Sequence, residues 1–250
     1  MYKNLLIYTA LMLLIPMGAW AAAYAWLPEQ PANLSLPVYA LLWLTESGSP
    51  PYAVATALLL AAVLTYLLRR RYTWQTVLLL CALSLGSTQA VKSLMKNHFQ
   101  EPRPFVDALV RSGSLPQAAD FYRLPDTAQS AWVWRQAEPV LARADRVQAA
   151  RFRTLAAHQA RHHDYSFPSG HTIFAVSWLL LFAGFGLRHR VLLPVAAWTG
   201  LMLLSRLLLG MHYPIDLFVS TLAAALLHTA LFAAVLPHLH RRFPVKVCHD

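Results

Sequence analysis

Six long apolar segments recur along this chain and restrict it to a helical membrane fold. Each is close to the ~20 residues that an α-helix needs to cross a ~30 Å hydrocarbon core. The backbone in lipid must also satisfy its own hydrogen bonds, as a helix does. The segments lie at residues 5–27, 51–68, 73–95, 170–187, 191–210 and 214–236. Only 13% of the residues are charged, against about 25% in soluble proteins. We predict an all-α, polytopic membrane protein with six transmembrane helices.

The start of the chain has the features of a signal peptide, but its length favours an uncleaved first span. Lys3 precedes an apolar run, and Ala21–Ala23 is typical of a cleavage site. The run continues to Leu27, which makes it long enough to cross the bilayer. The apolar segment Leu36–Leu44 is too short to cross, and we expect an interfacial helix there.

The basic residues of the short loops predict how the chain is oriented. Short basic loops stay in the cytoplasm, and the loop at residues 28–50 has no Lys or Arg. Basic residues instead occupy the segments on the opposite side of the membrane from that loop. They are Lys3, Arg69, Arg70, Arg71, Arg188, Arg190, Arg241, Arg242 and Lys246. Both termini are therefore predicted to be cytoplasmic. This pattern also accounts for the net charge of +10, so we expect no nucleic-acid partner.

Residues 97–168 lie on the opposite side of the membrane in this topology, although they contain many arginines. Long loops are translocated regardless of their charge, and acidic residues offset much of the charge of this segment. We predict a small helical extracytoplasmic insertion within one domain, 1–250, with helix around Ser130–His162. The residues expected at its solvent or headgroup surface are Arg135, Arg143, Arg146, Arg151 and Arg153, with Tyr122, Trp132 and Trp134 at the membrane interface.

Three polar motifs stand at the outer ends of the predicted spans. The first is Lys-x6-Arg-Pro from Lys96 to Pro104, and the second is Pro-Ser-Gly-His at residues 168–171. The third is Ser-Arg-x5-His-x3-Asp at residues 205–216. Ionisable residues at the edge of the hydrocarbon indicate a functional site. Since all three motifs fall on one side of the bilayer, we expect them to form a single pocket.

The cationic and hydroxyl residues of these motifs predict a phosphate site. Ser169 is a suitable N-cap and Gly170 lets a ligand approach the backbone, so the helix start favours an anion. Arg206 and Arg103 offer forked donors to phosphate oxygens, and Lys96 adds charge. The alternatives are simple capping by Ser169 and snorkelling of the basic side chains. Lys92, one turn before Lys96, either adds positive potential or snorkels.

Two histidines supply the chemistry that such a site needs. Asp216 can reach back to the Nδ1–H of His212 and leave its Nε2 as a nucleophile, or it can be only a helix-start acid. His171 completes a nucleophile and general-acid pair, but the residues alone do not say which histidine attacks. Because the cations already supply positive charge, we expect no metal and no cofactor. A cluster of three further histidines is expected at the surface: His158, His162 and His163.

Together the three motifs resemble those of the type 2 phosphatidic acid phosphatase superfamily, with no departure at the defining positions. The six spans and the insertion are similar to the bacterial phosphatidylglycerophosphatases of that superfamily. The resemblance implies that His212 is the nucleophile, Asp216 its partner and His171 the general acid. The phosphate-binding residues that it implies are Lys96, Arg103, Ser169, Gly170 and Arg206. It also implies a metal-independent enzyme of the inner membrane whose site faces the periplasm.

The expected function is hydrolysis of a lipid phosphate through a phosphohistidine intermediate. Substrates within the superfamily include phosphatidylglycerophosphate, undecaprenyl diphosphate and phosphatidic acid, and no protein partner is expected. Vanadium haloperoxidases share the motifs but are soluble. A transporter with a cationic outer vestibule would need a site reachable from both sides. The sequence ranks none of the lipids and does not fix the oligomeric state or how 97–168 controls access.

Overall fold

A computed structural model describes residues 1–26 and 35–245, and within these ranges the chain is helical with no β-strand. The helices are α1 Tyr2–Ala21, α2 Leu36–Glu46, α3 Tyr52–Leu68, α4 Trp74–Phe99, α5 Pro104–Arg111, α6 Ala118–Tyr122, α7 Asp126–Arg143, α8 Arg146–Arg161, α9 Gly170–Gly184, α10 His189–Leu208, α11 Pro214–Ala230 and α12 Leu236–Arg242, with a π-helical turn at Leu231–Val235 before α12. The all-α prediction is confirmed. The predicted end of the first span at Leu27 and the basic Lys246 lie outside the described residues.

Within the described residues, four helical segments are long and apolar enough to cross a membrane. They are Tyr2–Ala21, Trp74–Arg111, His189–Leu208 and Pro214–Arg242. Two other predicted spans, 51–68 and 170–187, correspond to the shorter apolar helices α3, of 17 residues, and α9, of 15 residues. The character of a membrane protein is therefore confirmed, while the count of six spans stays a prediction.

Helix α9 lies at the centre of the bundle and packs against α1, α4, α10 and α11. Almost all of its side chains are buried, including Trp178 and Phe182. The outer helices instead expose large aliphatic side chains such as Leu14, Leu58 and Leu226. An exposed apolar surface of this extent is typical of contact with a membrane. The polar N-terminus of α9 consequently lies where the surrounding helices enclose it.

A second layer of helices covers one end of the bundle. Helices α2 and α5 to α8 share a separate apolar core that includes Phe105, Phe121 and Leu155. The helix predicted around Ser130–His162 consists of α7 and α8, because Asp145 starts a new helix by accepting 2.8 Å hydrogen bonds from the N–H groups of the first turn of α8. This layer supplies several polar side chains to the site described below.

The reversal between α10 and α11 joins two of the motifs. Gly210 adopts a φ of +68°, which favours glycine, and a Cβ there would lie 2.5 Å from the ring of Trp26. The N–H groups of Met211 and His212 both donate to the carbonyl oxygen of Arg206, at 3.0 and 3.1 Å. Arg206 and His212 are therefore fixed relative to each other by backbone hydrogen bonds.

Close packing of α9 against the π-helical turn predicts a sensitive glycine. A Cβ at Gly184 would lie 2.1 Å from the ring of Phe232, whereas a Cβ at Gly86 would meet no atom of the described residues within 4 Å. We expect Gly184→Ala to destabilise the protein by about 1–3 kcal/mol through overpacking, and Gly86→Ala to have little effect. Thermal unfolding in detergent would measure both. Equal melting temperatures for the two variants would contradict this packing, and Phe232→Leu should partly restore Gly184→Ala.

Candidate active site

A cavity of about 570 Å³ brings the predicted site residues together. Lys96 and Arg103 line it from α4 and the start of α5, Gly170 and His171 from the start of α9, and His212 from the turn before α11. Three predicted residues lie behind these walls and are fully buried: Ser169, Arg206 and Asp216. The three motifs thus converge on one pocket at one end of the bundle.

His212 presents one ring nitrogen to a carboxylate and the other to a cation. Its Nδ1 lies 3.1 Å from Asp216 Oδ2, so the carboxylate can accept the Nδ1–H. Arg103 Nη1 lies 3.3 Å from Nε2, and since a guanidinium only donates, Nε2 carries the lone pair. Burial, followed by the charges of Arg103 and Arg206, lowers the pKa of His212 well below its ordinary value. The neutral ring therefore keeps the lone pair of Nε2, which accepts from Arg103 in this structure and could attack phosphorus once that hydrogen bond is exchanged.

Asp216 is held by more donors than the sequence predicted. Its Oδ2 accepts from the backbone N–H of Tyr213 at 3.0 Å and from the hydroxyl of Ser166 through a short hydrogen bond. Ser166 Oγ also lies 3.3 Å from His212 Nδ1. Ser166 therefore fixes both members of the His212–Asp216 pair, and sequence reasoning missed it.

Asp164 is the counter-ion of the first motif. Lys96 Nζ lies 2.6 Å from Asp164 Oδ2, and Arg103 Nη2 forms a short ion pair with Oδ1. Arg103 Nε also donates to the Asp164 carbonyl at 2.6 Å, and Nη1 donates to that of Met211 at 2.8 Å. Partial burial opposes ionisation of Asp164, but the two cations hold its pKa below the ordinary value. These cations are thus positioned on the cavity wall with an anion already present.

Arg206 is fully buried, and only part of its guanidinium is hydrogen-bonded. Nη1 donates to Thr45 Oγ1 at 2.8 Å and lies 3.2 Å from His158 Nε2. Its Nε and Nη2 have no partner within the part of the chain that the structure describes. Buried donors without a partner are rare and need an explanation. Nε and Nη2 form the side-on fork that matches two oxygens of a phosphate.

Ser169 caps the start of α9, as the second motif predicts. Ser169 Oγ accepts from Thr172 N–H at 3.4 Å, and Ser169 N–H donates to Ser220 Oγ at 2.9 Å. A Cβ at Gly170 would lie 3.0 Å from Lys92 Cδ and 3.8 Å from Lys92 Nζ. Lys92, which the sequence left open, therefore brings its ammonium group to the cavity beside this helix start.

His171 is oriented by a residue of the loop after α2. Ser49 Oγ lies 2.9 Å from His171 Nε2 and 3.4 Å from His162 Nε2. The neighbouring Cδ2 is close to Gly48, where a Cβ would lie only 2.8 Å away. Because the Cδ2–Nε2 edge faces Gly48 and Ser49, the opposite edge with Nδ1 remains for a ligand.

The rest of the cavity is apolar and runs between α3 and α4. Its walls include Ala57 and Leu58 of α3, Leu78 and Leu85 of α4, and Trp178 of α9. A cavity with charged groups at one end and apolar walls along the rest can hold a molecule with a polar head and a hydrocarbon tail.

The expectation that His158 lies at the surface is wrong. Its side chain is fully buried, and its Nδ1 and Nε2 face Glu46 at 2.8 Å and Arg206 at 3.2 Å. Glu46, His158 and His162 hold potential metal-ligand atoms within 4.8 Å of one another. Since both nitrogens of His158 already face protein groups and one of these is a cation, the group fits a hydrogen-bond network better than a metal site.

Three of the missed residues carried a recognisable signal. Asp164 and Ser166 lie just before the second motif, so proximity along the chain could have indicated them. Glu46 is the only acidic residue in the apolar α2 sequence, and an isolated charge there indicates function. Thr45 and Ser49 had no signal of their own.

Comparison with known proteins identifies relatives over most of the chain. The sequence profile of the PAP2 superfamily matches residues 77–238, which contain all three motifs. Phosphatidylglycerophosphatase B of Haemophilus influenzae is 37% identical over 242 residues, or 93% of this chain and 95% of that protein. The proteins of the same name from Escherichia coli K12 and Shigella flexneri are 36% identical over 219 residues, or 85% of this chain and 81% of each relative.

The neutral histidine cluster predicts acid sensitivity. Burial, followed by the charges of His158 and the arginines, lowers the pKa of His162 to about 3, from 6.5. In the unfolded chain His162 would bind a proton near pH 6.5, whereas in the folded protein it stays neutral to about pH 3. The folded state is therefore not penalised by His162 above pH 6.5 and loses stability as the pH falls below it. The free energy of unfolding of the wild type should fall between about pH 7.5 and 5. We expect this fall to be about 1 kcal/mol smaller in His162→Gln. Melting temperatures across this range would measure it.

His98→Gln at the exposed end of α4 is the matched control for that measurement. It should keep the acid sensitivity of the wild type. An unchanged pH dependence in His162→Gln would show that His162 does not contribute to it.

Proposed function

This chain belongs to the PAP2 superfamily, and we propose that it is an integral membrane phosphatase that hydrolyses lipid phosphomonoesters and diphosphates. One observation carries the proposal: the cavity joins a cationic end, with two histidines, to an apolar channel between α3 and α4. The names of its relatives point to phosphatidylglycerophosphate as substrate and phosphatidylglycerol as product. Undecaprenyl diphosphate, giving undecaprenyl phosphate, has the same combination of charged head and long tail.

The reaction would begin with attack by His212. Nε2 forms a bond to phosphorus while the bond from phosphorus to the lipid oxygen breaks. The leaving oxygen takes a proton from Nδ1 of protonated His171, which becomes neutral and whose Nδ1 lies on the edge opposite Gly48 and Ser49. Asp216 and Ser166 hold the Nδ1 side of His212 and stabilise its positive charge. In the second half, His171 accepts a proton from water, which attacks phosphorus and releases His212.

The cations would hold the phosphate oxygens through both steps. Arg206 offers Nε and Nη2, which lack partners among the described residues, and Lys96 and Arg103 lie on the cavity wall. The Gly170 backbone and the Ser169 cap give the anion a helix start. Fixed donors in a site that excludes water stabilise developing negative charge without rearrangement. These residues supply the charge that a divalent metal provides in other phosphatases, so we propose a metal-independent enzyme.

The proposed topology places this site at the periplasmic face of the inner membrane. The six apolar helices α1, α3, α4, α9, α10 and α11 would span the bilayer, α2 would lie at its surface, and both termini would be cytoplasmic. Residues 97–168 would form the extracytoplasmic insertion that covers the site. A lipid could then enter between α3 and α4 while its tail stays in the bilayer.

Phosphate release by the purified protein tests the reaction. With chelator present, we expect wild type to release phosphate from phosphatidylglycerophosphate and undecaprenyl diphosphate in detergent micelles. We expect His212→Ala to be inactive and the exposed-site control His238→Ala to retain activity. Asp216→Asn should lower kcat by about 10²–10⁴-fold with a smaller effect on KM, because it removes the group that orients the nucleophile.

Two results would contradict this account. Equal activity in Asp216→Asn and wild type would remove the orienting role of the carboxylate. Loss of wild-type activity with chelator, restored by a divalent cation, would contradict the metal-independent mechanism.

Labelling of introduced cysteines tests the topology. In a Cys248→Ala background, Val147→Cys on α8 and Arg70→Cys after α3 place one thiol on each predicted side, at exposed positions. We expect a membrane-impermeant maleimide added to spheroplasts to label position 147 and not position 70. Labelling of both positions, or of position 70 alone, would contradict the proposed orientation.

A further inference from the structure

The guanidinium of Arg206 has one satisfied edge and one open edge. Nη1 is engaged by Thr45 Oγ1 and His158 Nε2, at 2.8 and 3.2 Å. Nε and Nη2 are buried without partners among the described residues. Since the side chain is 0% exposed, its orientation is determined by the groups around it rather than by water. The groups that hold Nη1 therefore determine where the open edge points.

His158 can hold Nη1 only in one protonation state. An arginine N–H requires an acceptor, so Nε2 must carry a lone pair and the proton must be on Nδ1. Nδ1 lies 2.8 Å from Glu46 Oε1, which accepts that proton. Burial is the main cause that lowers the pKa of His158 to about 4, so the ring is neutral near pH 7. The tautomer that Glu46 selects is the one that Arg206 needs.

Glu46 also forms an ion pair with an exposed arginine of the second layer, a kind of contact that contributes little. Arg161 Nη2 lies 3.1 Å from the same Oε1, and the hydrogen bond from His158 is the main cause that lowers the pKa of Glu46. Glu46 ends α2, whereas His158 and Arg161 belong to α8. The network thus joins α2, α8 and α10 through side chains. The negative charge of Glu46 offsets the positive charge of the buried Arg206.

We propose that Glu46 and His158 are positioning residues that hold Arg206 with its Nε and Nη2 edge toward the phosphate. This inference rests on the proposed phosphatase function, in which Arg206 binds phosphate oxygens. Glu46 fixes the His158 tautomer, and His158 Nε2 accepts from Nη1. The partnership is the one that a carboxylate and a histidine form behind a metal, with a guanidinium in the place of the metal.

Substitutions that keep or remove the acceptor separate this role from simple packing. His158→Gln keeps an acceptor near the position of Nε2, while His158→Ala removes it. Glu46→Ala removes the group that selects the tautomer, and Arg161→Ala, the matched control, removes the exposed neighbour of Glu46 that does not face Arg206. The measurements are kcat and KM for phosphatidylglycerophosphate in detergent micelles, inhibition by orthovanadate, and the melting temperature.

We expect His158→Ala to raise KM and the vanadate inhibition constant by about 10- to 100-fold, because a buried charged donor loses its partner. Its kcat should change less. His158→Gln should stay within about fivefold of wild type. Glu46→Ala should fall between these two variants, and Arg161→Ala should be close to wild type.

If His158→Ala had the same KM and the same vanadate inhibition constant as the wild type, the proposal would be overturned. Equal losses in His158→Ala and His158→Gln would also overturn it, since packing alone would then explain them. If the wild type released no phosphate from any lipid, the proposed function would fail. Calorimetric titration with orthovanadate would then still test the positioning role, which requires weaker vanadate binding in His158→Ala than in His158→Gln.

Discussion

The structure depends on keeping cationic side chains buried at one end of an otherwise apolar bundle. An isolated charge is expensive to remove from water and is retained only with counter-charges and hydrogen bonds. Arg206 and Arg103 are both buried, and each has a carboxylate within its network, through His158 to Glu46 in one case and directly to Asp164 in the other. The position of these acids therefore matters as much as that of the arginines.

This requirement explains why the bundle has a second helical layer. The ends of α2 and α8 contribute Glu46 and His158, and the segment after α8 contributes Asp164 and Ser166. None of these residues belongs to the three motifs, yet His158, Asp164 and Ser166 each contact a motif residue, and Glu46 reaches Arg206 through His158. Apolar contacts around Phe121 and Leu155 hold the layer together. The layer thus has a physical role in the site beyond covering it, because it neutralises the buried cations.

Much of the fold and of the site could be predicted because both follow local rules. Apolar length and composition predicted the helices, and the position of the motifs at the outer ends of the predicted spans indicated which residues converge. The short length of α9 could not be read from the sequence, since the apolar segment continues past Gly184 into Phe185 and Leu187. The burial of His158 was also missed, because its partners come from α2 and α10, far away along the chain. Long-range polar contacts of this kind leave no periodic pattern.

The cationic groups of the site differ in what a phosphate must displace. Arg206 lies behind the cavity wall with two N–H donors that have no partner in the described part of the chain, so an anion can bind them without breaking a protein contact. At the cavity wall, Lys96 and Arg103 already hold Asp164, whose side chain is 59% exposed. An exposed carboxylate can turn toward water at a smaller cost than a buried one, since it keeps its hydration. In the proposed reaction the phosphate would therefore bind Arg206 without displacing a protein group and would share or replace Asp164 at Lys96 and Arg103, which brings the phosphorus toward His212.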